Sequence, residues 1–174
     1  MNEEEREGGT LEHVFHKMED AVGGLAGRAG AAMTEHAEDF VRAAAVSDMY
    51  EIEASELALR RTRSPEIREA AEKMIADHTD SIGKLQDAMP PELAESVPRA
   101  LDQRRKTMLL HLLEAEDADF ENMYLDHQVA AHKEAVTLMR HFSDHGDDAG
   151  LRSFAREVAP IIERHLKKMQ ALAG

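Results

Sequence analysis

Four long segments of this sequence repeat apolar residues at alternating steps of three and four, and this periodicity constrains the fold more than any other feature. Such steps place side chains on one face of an α-helix. The segments cover about 38–62, 65–88, 117–145 and 149–172. In the last segment the stripe is unbroken and consists of Leu151, Ala155, Val158, Ile162, His165, Met169 and Leu172. The sequence therefore predicts an all-α fold.

Local signals mark the ends of these helices. Ser64 is a good N-cap and Pro65 suits the first helical position, so a turn is expected between the first two helices. Gly146 is expected to end the third helix, and Pro160 is expected to cause a mild kink in the fourth. The other N-caps expected on this basis are Asp117 or Asp119 for the third helix and Asp147 or Asp148 for the fourth.

Two helical hairpins, joined by a crossover of about thirty residues, predict a four-helix bundle of ferritin-like type. The crossover contains a further helical piece near residues 99–114. If it returns the chain to the far end of the bundle, the helices follow an up-down-down-up order. An up-down-up-down bundle with an inserted helix is the alternative.

Residues 1–37 differ from the rest and are interpreted as an acidic, glycine-rich leader before a bundle of residues 38–174. The stretch at 23–32, GGLAGRAGAA, carries four glycines, which disfavour a stable helix. The leader is therefore expected to be partly helical or mobile, and to dock on the bundle or on a partner.

Composition excludes several classes of function. The formal net charge of −14 argues against nucleic acid as a partner, because binding to phosphate requires lysine and arginine. The absence of cysteine excludes disulfides and thiolate metal sites. No apolar run is long enough to span a membrane, and the acidic N-terminus differs from a signal peptide, so a cytoplasmic location is expected.

Each predicted core helix carries a metal-ligand type of side chain on or beside its apolar stripe. Glu51 lies 12 residues before Arg63, and His78 lies 13 residues after Pro65. At 1.5 Å of rise per residue both are about 18–20 Å from the turn, so they are expected to face each other. His165 continues the stripe of the fourth helix.

On the third helix both His127 and His132 are candidates, and counting from the turn does not choose between them. One glutamate and three histidines meeting in a core would form a site suited to zinc or iron. A di-iron site of the ferritin kind would use a Glu-x-x-His motif. The sequence contains no such motif, so a mononuclear site is expected.

The sequence resembles the family called domain of unknown function 4142 in four runs that together cover about residues 38–172. The runs are YEIEASELALRR at 50–61, AEKMIADHT at 71–79, FENMYLDHQVAAHKEAVTL at 120–138 and FAREVAPIIERHL at 154–166. The resemblance implies a ferritin-like fold, and its pattern carries over onto Glu51, Asp77, His78, His132 and His165. It thus favours His132 over His127. Many members of the family look exported, which keeps a periplasmic location open.

These observations predict a metal-binding, ferritin-like protein with one zinc or iron ion per chain and a link to redox or stress chemistry. Asp77 is expected to support the site through a hydrogen bond, because neighbouring residues on a helix point about 100° apart. The alternative is a non-enzymatic helical interaction module, associated with stress or the cell envelope, whose core holds a polar network without metal. No feature of the sequence decides whether the protein is an enzyme.

Overall fold

The computed structural model describes the backbone of residues 3–174 and the side chains of residues 14–174. The fold is all-α, as predicted, and no strand occurs in the described part of the chain. A short 3-10 helix, Pro91–Ser96, lies in the crossover. The α-helices are α1 (Glu3–Ala31), α2 (Ala37–Arg61), α3 (Pro65–Ala88), α4 (Gln103–Glu114), α5 (Asp117–His145) and α6 (Ala149–Ala173).

The helix ends follow the predicted capping signals with one exception. The side chain of Ser64 accepts a hydrogen bond from the amide of Ile67, and Asp148 caps α6 in the same way. The exception is α5, for which Asp117 or Asp119 was expected as N-cap. The residue in that position is Glu116, whose side chain forms no capping bond, and both aspartates lie in the first turn. There their charges favour the positive end of the helix dipole.

Helices α2, α3, α6 and α5 pack in that order around a ring, each against the next. Neighbours are antiparallel. Along α2 and α5, Phe40 stacks on Phe142 and Ser55 contacts Tyr124, while along α3 and α6 the pairs are Asp77 with His165 and Lys84 with Glu157. In chain order the four helices therefore point up, down, down and up, which is the first of the two orders given above.

Helix α1 runs straight through the glycine-rich stretch that was expected to prevent a stable helix. The expectation was wrong because packing overrides helix propensity here. Gly24 is buried facing Ala130, and a Cβ on Gly27 would overlap the carboxylate of Glu134. Gly27 thus lets α1 lie close against α5, whereas a Cβ on Gly24 would make only an ordinary contact with Ala130. Whether residues 1–37 and 38–174 are separate domains stays a prediction.

The buried apolar residues form two clusters, separated along the helices by a layer of polar side chains. Met74 and Met169 belong to the first cluster, and Leu85 and Ile162 belong to the second. The polar residues between them occupy the middle of each core helix. Among the described residues, no helix has both the length and the apolar character needed to cross a membrane.

Candidate metal centre

Three histidines from three helices meet in the polar layer between the two apolar clusters. His78 on α3, His132 on α5 and His165 on α6 each offer one ring nitrogen within 4.8 Å of the others. Their ring centroids lie 5.6 to 5.8 Å apart. All three side chains are buried, with 1 to 5% of their surface exposed. We call these residues the three-histidine cluster.

Each histidine of the cluster is held through one ring nitrogen. His78 Nδ1 lies 2.7 Å from Asp48 Oδ1, and His132 Nδ1 lies 2.8 Å from the carbonyl oxygen of Gln128. His165 Nε2 lies 2.7 Å from Asp77 Oδ2. Because carboxylates and carbonyls accept hydrogen bonds, each of these nitrogens donates, which assigns the proton to it. The ring orientations are thereby fixed from outside the cluster.

The second nitrogen of each ring has no such partner. His78 Nε2, His132 Nε2 and His165 Nδ1 are buried and form no hydrogen bond with any described residue. The rings therefore do not hydrogen-bond one another, and the cluster is not a closed hydrogen-bond network. Since the other nitrogen donates, each of these atoms carries a free lone pair in the neutral ring. Buried polar atoms without partners are uncommon and need an explanation.

Two carboxylates from α2 lie beside the cluster and are nearly fully buried. Glu51 is 1% exposed, and its Oε1 lies 3.6 Å from His132 Nδ1. Its Oε2 finds no hydrogen-bond partner among the described side chains. Asp48 is 4% exposed and holds His78. Glu51 is close to His132 but lies outside the group whose donor atoms are all within 4.8 Å.

Asp48 was missed by the sequence analysis, although a signal for it exists. It precedes Glu51 by three residues, so the two side chains share one face of α2. Asp77, predicted as a supporting residue, hydrogen-bonds His165 across the helix pair rather than its neighbour His78. It also forms an ion pair with Lys73 at 2.8 Å.

The surroundings shift the pKa values of the cluster in opposite directions. Burial, together with the nearby His78, lowers the pKa of His132 to about 3. Burial also lowers the pKa of His165 to about 4, although the bond to Asp77 opposes it. For His78 burial alone would lower the pKa, but the hydrogen bond and charge of Asp48 outweigh it and raise the pKa. Burial raises the pKa of Glu51.

His127, the alternative candidate on α5, lies in a different group of side chains. Its Nδ1 is 3.2 Å from the hydroxyl of Tyr50, and its Nε2 is 2.7 Å from Asp20 Oδ2. The same Asp20 oxygen lies 2.9 Å from His111 Nδ1. We call Asp20, His111 and His127 the Asp20 cluster. Both nitrogens of His127 are engaged there, so the structure brings His132, not His127, to His78 and His165.

Cavities between α3 and α6 border the three-histidine cluster. A larger one of about 250 Å³ reaches His165 beside Lys73 and Met74. A smaller one borders both His78 and His165. It measures about 10 Å³ and is lined by His78, His165 and Asp77, among other residues. That volume is close to the least that one water molecule needs. Asp77 is 25% exposed in its side chain, so this edge of the cluster is the nearest to solvent.

The fold and the site define a class of protein. It is all-α and has three buried histidines, each held by a hydrogen bond at one ring nitrogen. The chain belongs to the family described as "Domain of unknown function (DUF4142)", whose model matches residues 24–172. The family resemblance drawn from the four sequence runs is thus confirmed. The match also begins inside α1, in the segment that was interpreted as a leader outside the family pattern. Comparison with curated proteins and with solved structures gave no match.

Proposed function

We propose that this protein binds one divalent transition-metal ion, zinc or iron, at the three-histidine cluster. One observation carries the proposal, namely three buried ring nitrogens that converge from three helices without hydrogen-bond partners among the described residues. An imidazole lone pair is a common ligand of both metals. A bound ion would supply the missing partner for all three nitrogens at once.

The protonation and charge of the surroundings support a cation at this place. Metal ions bind neutral imidazole, and the lowered pKa values of His132 and His165 keep both rings neutral near pH 7. Asp48 and Glu51 place two buried carboxyl groups beside the cluster, and Asp48 raises the pKa of His78, so a bound ion would displace a proton from that ring. A buried carboxylate is costly unless it is paired or ligated. A divalent ion would offset both negative charges.

The residues divide into ligands and supports. His78 Nε2, His132 Nε2 and His165 Nδ1 would hold the ion, and Glu51 Oε2 is the candidate for a fourth ligand. Asp48 and Asp77 would orient two of the rings from outside, as carboxylates commonly do for metal-bound histidines. Zinc or iron would supply Lewis acidity at this position, and iron could also change its oxidation state.

The architecture proposed for this site is a ferritin-like four-helix bundle. The ring of antiparallel helices and the long crossover between α3 and α5 support it. Metal sites in such bundles are built from side chains of facing helices. The proposal of a single ion rests on the histidine-rich donor set. The cytoplasmic location expected from the sequence stays a prediction.

Elemental analysis tests the proposal. The full-length protein is purified without an affinity tag, stripped with a chelator, and reloaded with zinc, or with ferrous iron under anaerobic conditions. About one tightly held ion per wild-type chain is expected, against less than a tenth for His78→Ala. A wild-type protein that takes up no stoichiometric metal, while remaining helical by circular dichroism, would contradict the proposal.

A second candidate function is the interaction module predicted from the sequence. The observation that favours it is an exposed apolar stripe on α1, formed by Phe15, Met18, Val22 and Leu25, which are each about two-thirds exposed. If this function is the relevant one, removing residues 1–37 abolishes the biological effect of the protein and His78→Ala does not. The opposite pattern would favour the metal site.

A further inference from the structure

A groove of about 410 Å³ runs between α1 and α5, away from the three-histidine cluster. Its floor is made of small and apolar side chains, including Ala21, Gly24, Val129 and Ala130. The two helices are parallel here, because Lys17 pairs with Asp126 and Gly27 lies against Glu134 further along both. The volume falls in the range of small-molecule sites.

The two ends of this groove differ in charge. At one end Arg28 and Lys133 line the groove, and neither has an ion-pair partner among residues 14–174. At the other end Lys17 is neutralised by Asp126 at 2.6 Å. Asp20 also lines the groove, but its Oδ2 is taken by His111 and His127. The groove thus has an apolar floor, and its unpaired cations lie at one end only.

This arrangement is unusual on a chain whose net charge is −14. Two unpaired cations at the end of an apolar groove attract an anion that carries an apolar body. Met123 is the last apolar residue of α5 that lines the groove, and it lies ten residues before Lys133. This corresponds to about 15 Å of helix, or an extended alkyl chain of about ten to twelve carbons.

We propose that the groove between α1 and α5 binds a medium-chain fatty acid. The carboxylate lies between Arg28 and Lys133, and the alkyl chain lies along Ala21 and Ala130 towards Met123. This site is independent of the three-histidine cluster. A neutral lipid would leave the two cations without a partner, and a short carboxylate would leave the floor of the groove uncovered.

Displacement of a fluorescent fatty acid, 11-(dansylamino)undecanoate, tests the proposal with the full-length protein. We expect saturable binding of one probe per chain and displacement by dodecanoate below its micelle concentration. Decanoate should bind at least tenfold more tightly than decanol, and each added methylene should improve binding about two- to fourfold. Equal affinity of decanoate and decanol, or probe binding that does not saturate, would overturn the proposal.

Two variants locate the site. Arg28→Glu combined with Lys133→Glu should weaken probe binding at least tenfold at low salt. The matched control is Arg60→Glu combined with Lys167→Glu, which makes the same charge change at two exposed positions and should stay within twofold of wild type. If both pairs weaken binding equally, the effect is only one of net charge and the assigned site is wrong.

Ala21→Phe fills the groove without a charge change. Ala21 is exposed, so the variant should keep its helical content. We expect Ala21→Phe to lower the affinity for the probe at least tenfold. His132→Gln should bind the probe as wild type does, because His132 belongs to the three-histidine cluster and does not line the groove. Self-association of the protein that excludes the probe would show that the groove receives a second copy instead, and would contradict the proposal.

Discussion

Two buried groups of histidines lie among residues 14–174, and they differ in the bonding of their ring nitrogens. In the Asp20 cluster one carboxylate oxygen lies within 2.9 Å of two rings, and both nitrogens of His127 are bonded. In the three-histidine cluster every ring has one bonded and one unbonded nitrogen. The first group satisfies itself and joins α1 to α4 and α5. The second group leaves one nitrogen of each ring without a partner among the described residues.

The comparison also shows why burial alone does not identify a metal site. His127 and His132 lie on the same helix and are 3% and 1% exposed. What separates them is the neighbouring chemistry, because His127 faces a carboxylate and a hydroxyl, whereas the free nitrogen of His132 lies among other imidazoles. Counting unpartnered atoms is therefore more informative than counting buried histidines.

The largest expected difference between the two groups is in metal content. His132→Gln should reduce the bound zinc or iron from about one ion per chain to less than a tenth, because a ligand is lost. His127→Gln alters an equally buried histidine of the same helix and should keep the full content. Elemental analysis of both variants decides the matter, and equal metal content in the two would remove the distinction between the clusters.

A smaller effect is expected from the carboxylates that hold the rings. Asp48→Asn should weaken metal affinity about 10- to 100-fold, because a supporting carboxylate raises the basicity of its histidine and fixes its orientation. Asp20→Asn makes the same change in the other cluster and should leave metal affinity unchanged. Competition with a chromophoric chelator measures both. If Asp20→Asn weakens metal binding as much as Asp48→Asn does, the support assigned to Asp48 is not specific.

The pH dependence of stability should also distinguish the clusters. His132 and His165 have lowered pKa values of about 3 and 4 in the folded protein, against 6.5 for an ordinary histidine. Between about pH 6.5 and 4 these two residues bind more protons in the unfolded chain, so their contribution to stability falls as the pH falls. The slope is about 1.4 kcal/mol per pH unit for each proton. His78 and Glu51 have raised pKa values in the folded protein, so each binds its proton more readily when folded and contributes a slope of the opposite sign.

Urea unfolding of metal-free protein at several pH values measures this slope. His132→Gln should reduce the slope by up to about 1.4 kcal/mol per pH unit, the contribution of one proton. An identical slope in wild type and His132→Gln would show that His132 titrates normally in the folded protein.

The smallest expected effect concerns the attachment of α1. Asp20→Asn removes the charge that bridges His111 and His127, and should loosen α1 by about 1–3 kcal/mol. Hydrogen exchange of the α1 amides should accelerate accordingly, while the amides of α3 and α6 keep their protection. Uniform acceleration across all helices would indicate that the Asp20 cluster stabilises the whole protein rather than this one contact.

Much of the fold was predictable because its signals are local. The apolar periodicity and the caps at Ser64 and Asp148 set the ends of the four core helices to within about one residue of those observed. The helical piece expected near 99–114 begins later, at Gln103. The course of α1 was not predictable in this way. Glycines have low helix propensity, so the local sequence disfavours a helix here. The close approach of Glu134, held by Arg104 at 2.7 Å, explains why a residue without a Cβ is needed at Gly27 in the helix.

The candidate site was predictable only in part. His78 and His165 interrupt strong apolar stripes, so their burial followed from the sequence. His127 and His132 both lie on apolar faces of α5, and the choice depends on contacts with α1 that periodicity does not contain. Asp48 was not predicted, because one ligand per helix was expected and Asp48 instead orients His78 on the neighbouring helix. The metal ligand assignments themselves stay predictions.

The narrow cavity between α3 and α6 has a consequence for how long an ion would stay. With room for about one water molecule, it is too small for a hydrated ion, so exchange along this route requires the two helices to separate briefly. The residence time of an ion that leaves by this route would then depend on the frequency of that opening. A chain that folded around its ion would then retain the metal that was abundant when it folded, even after the supply of metals had changed.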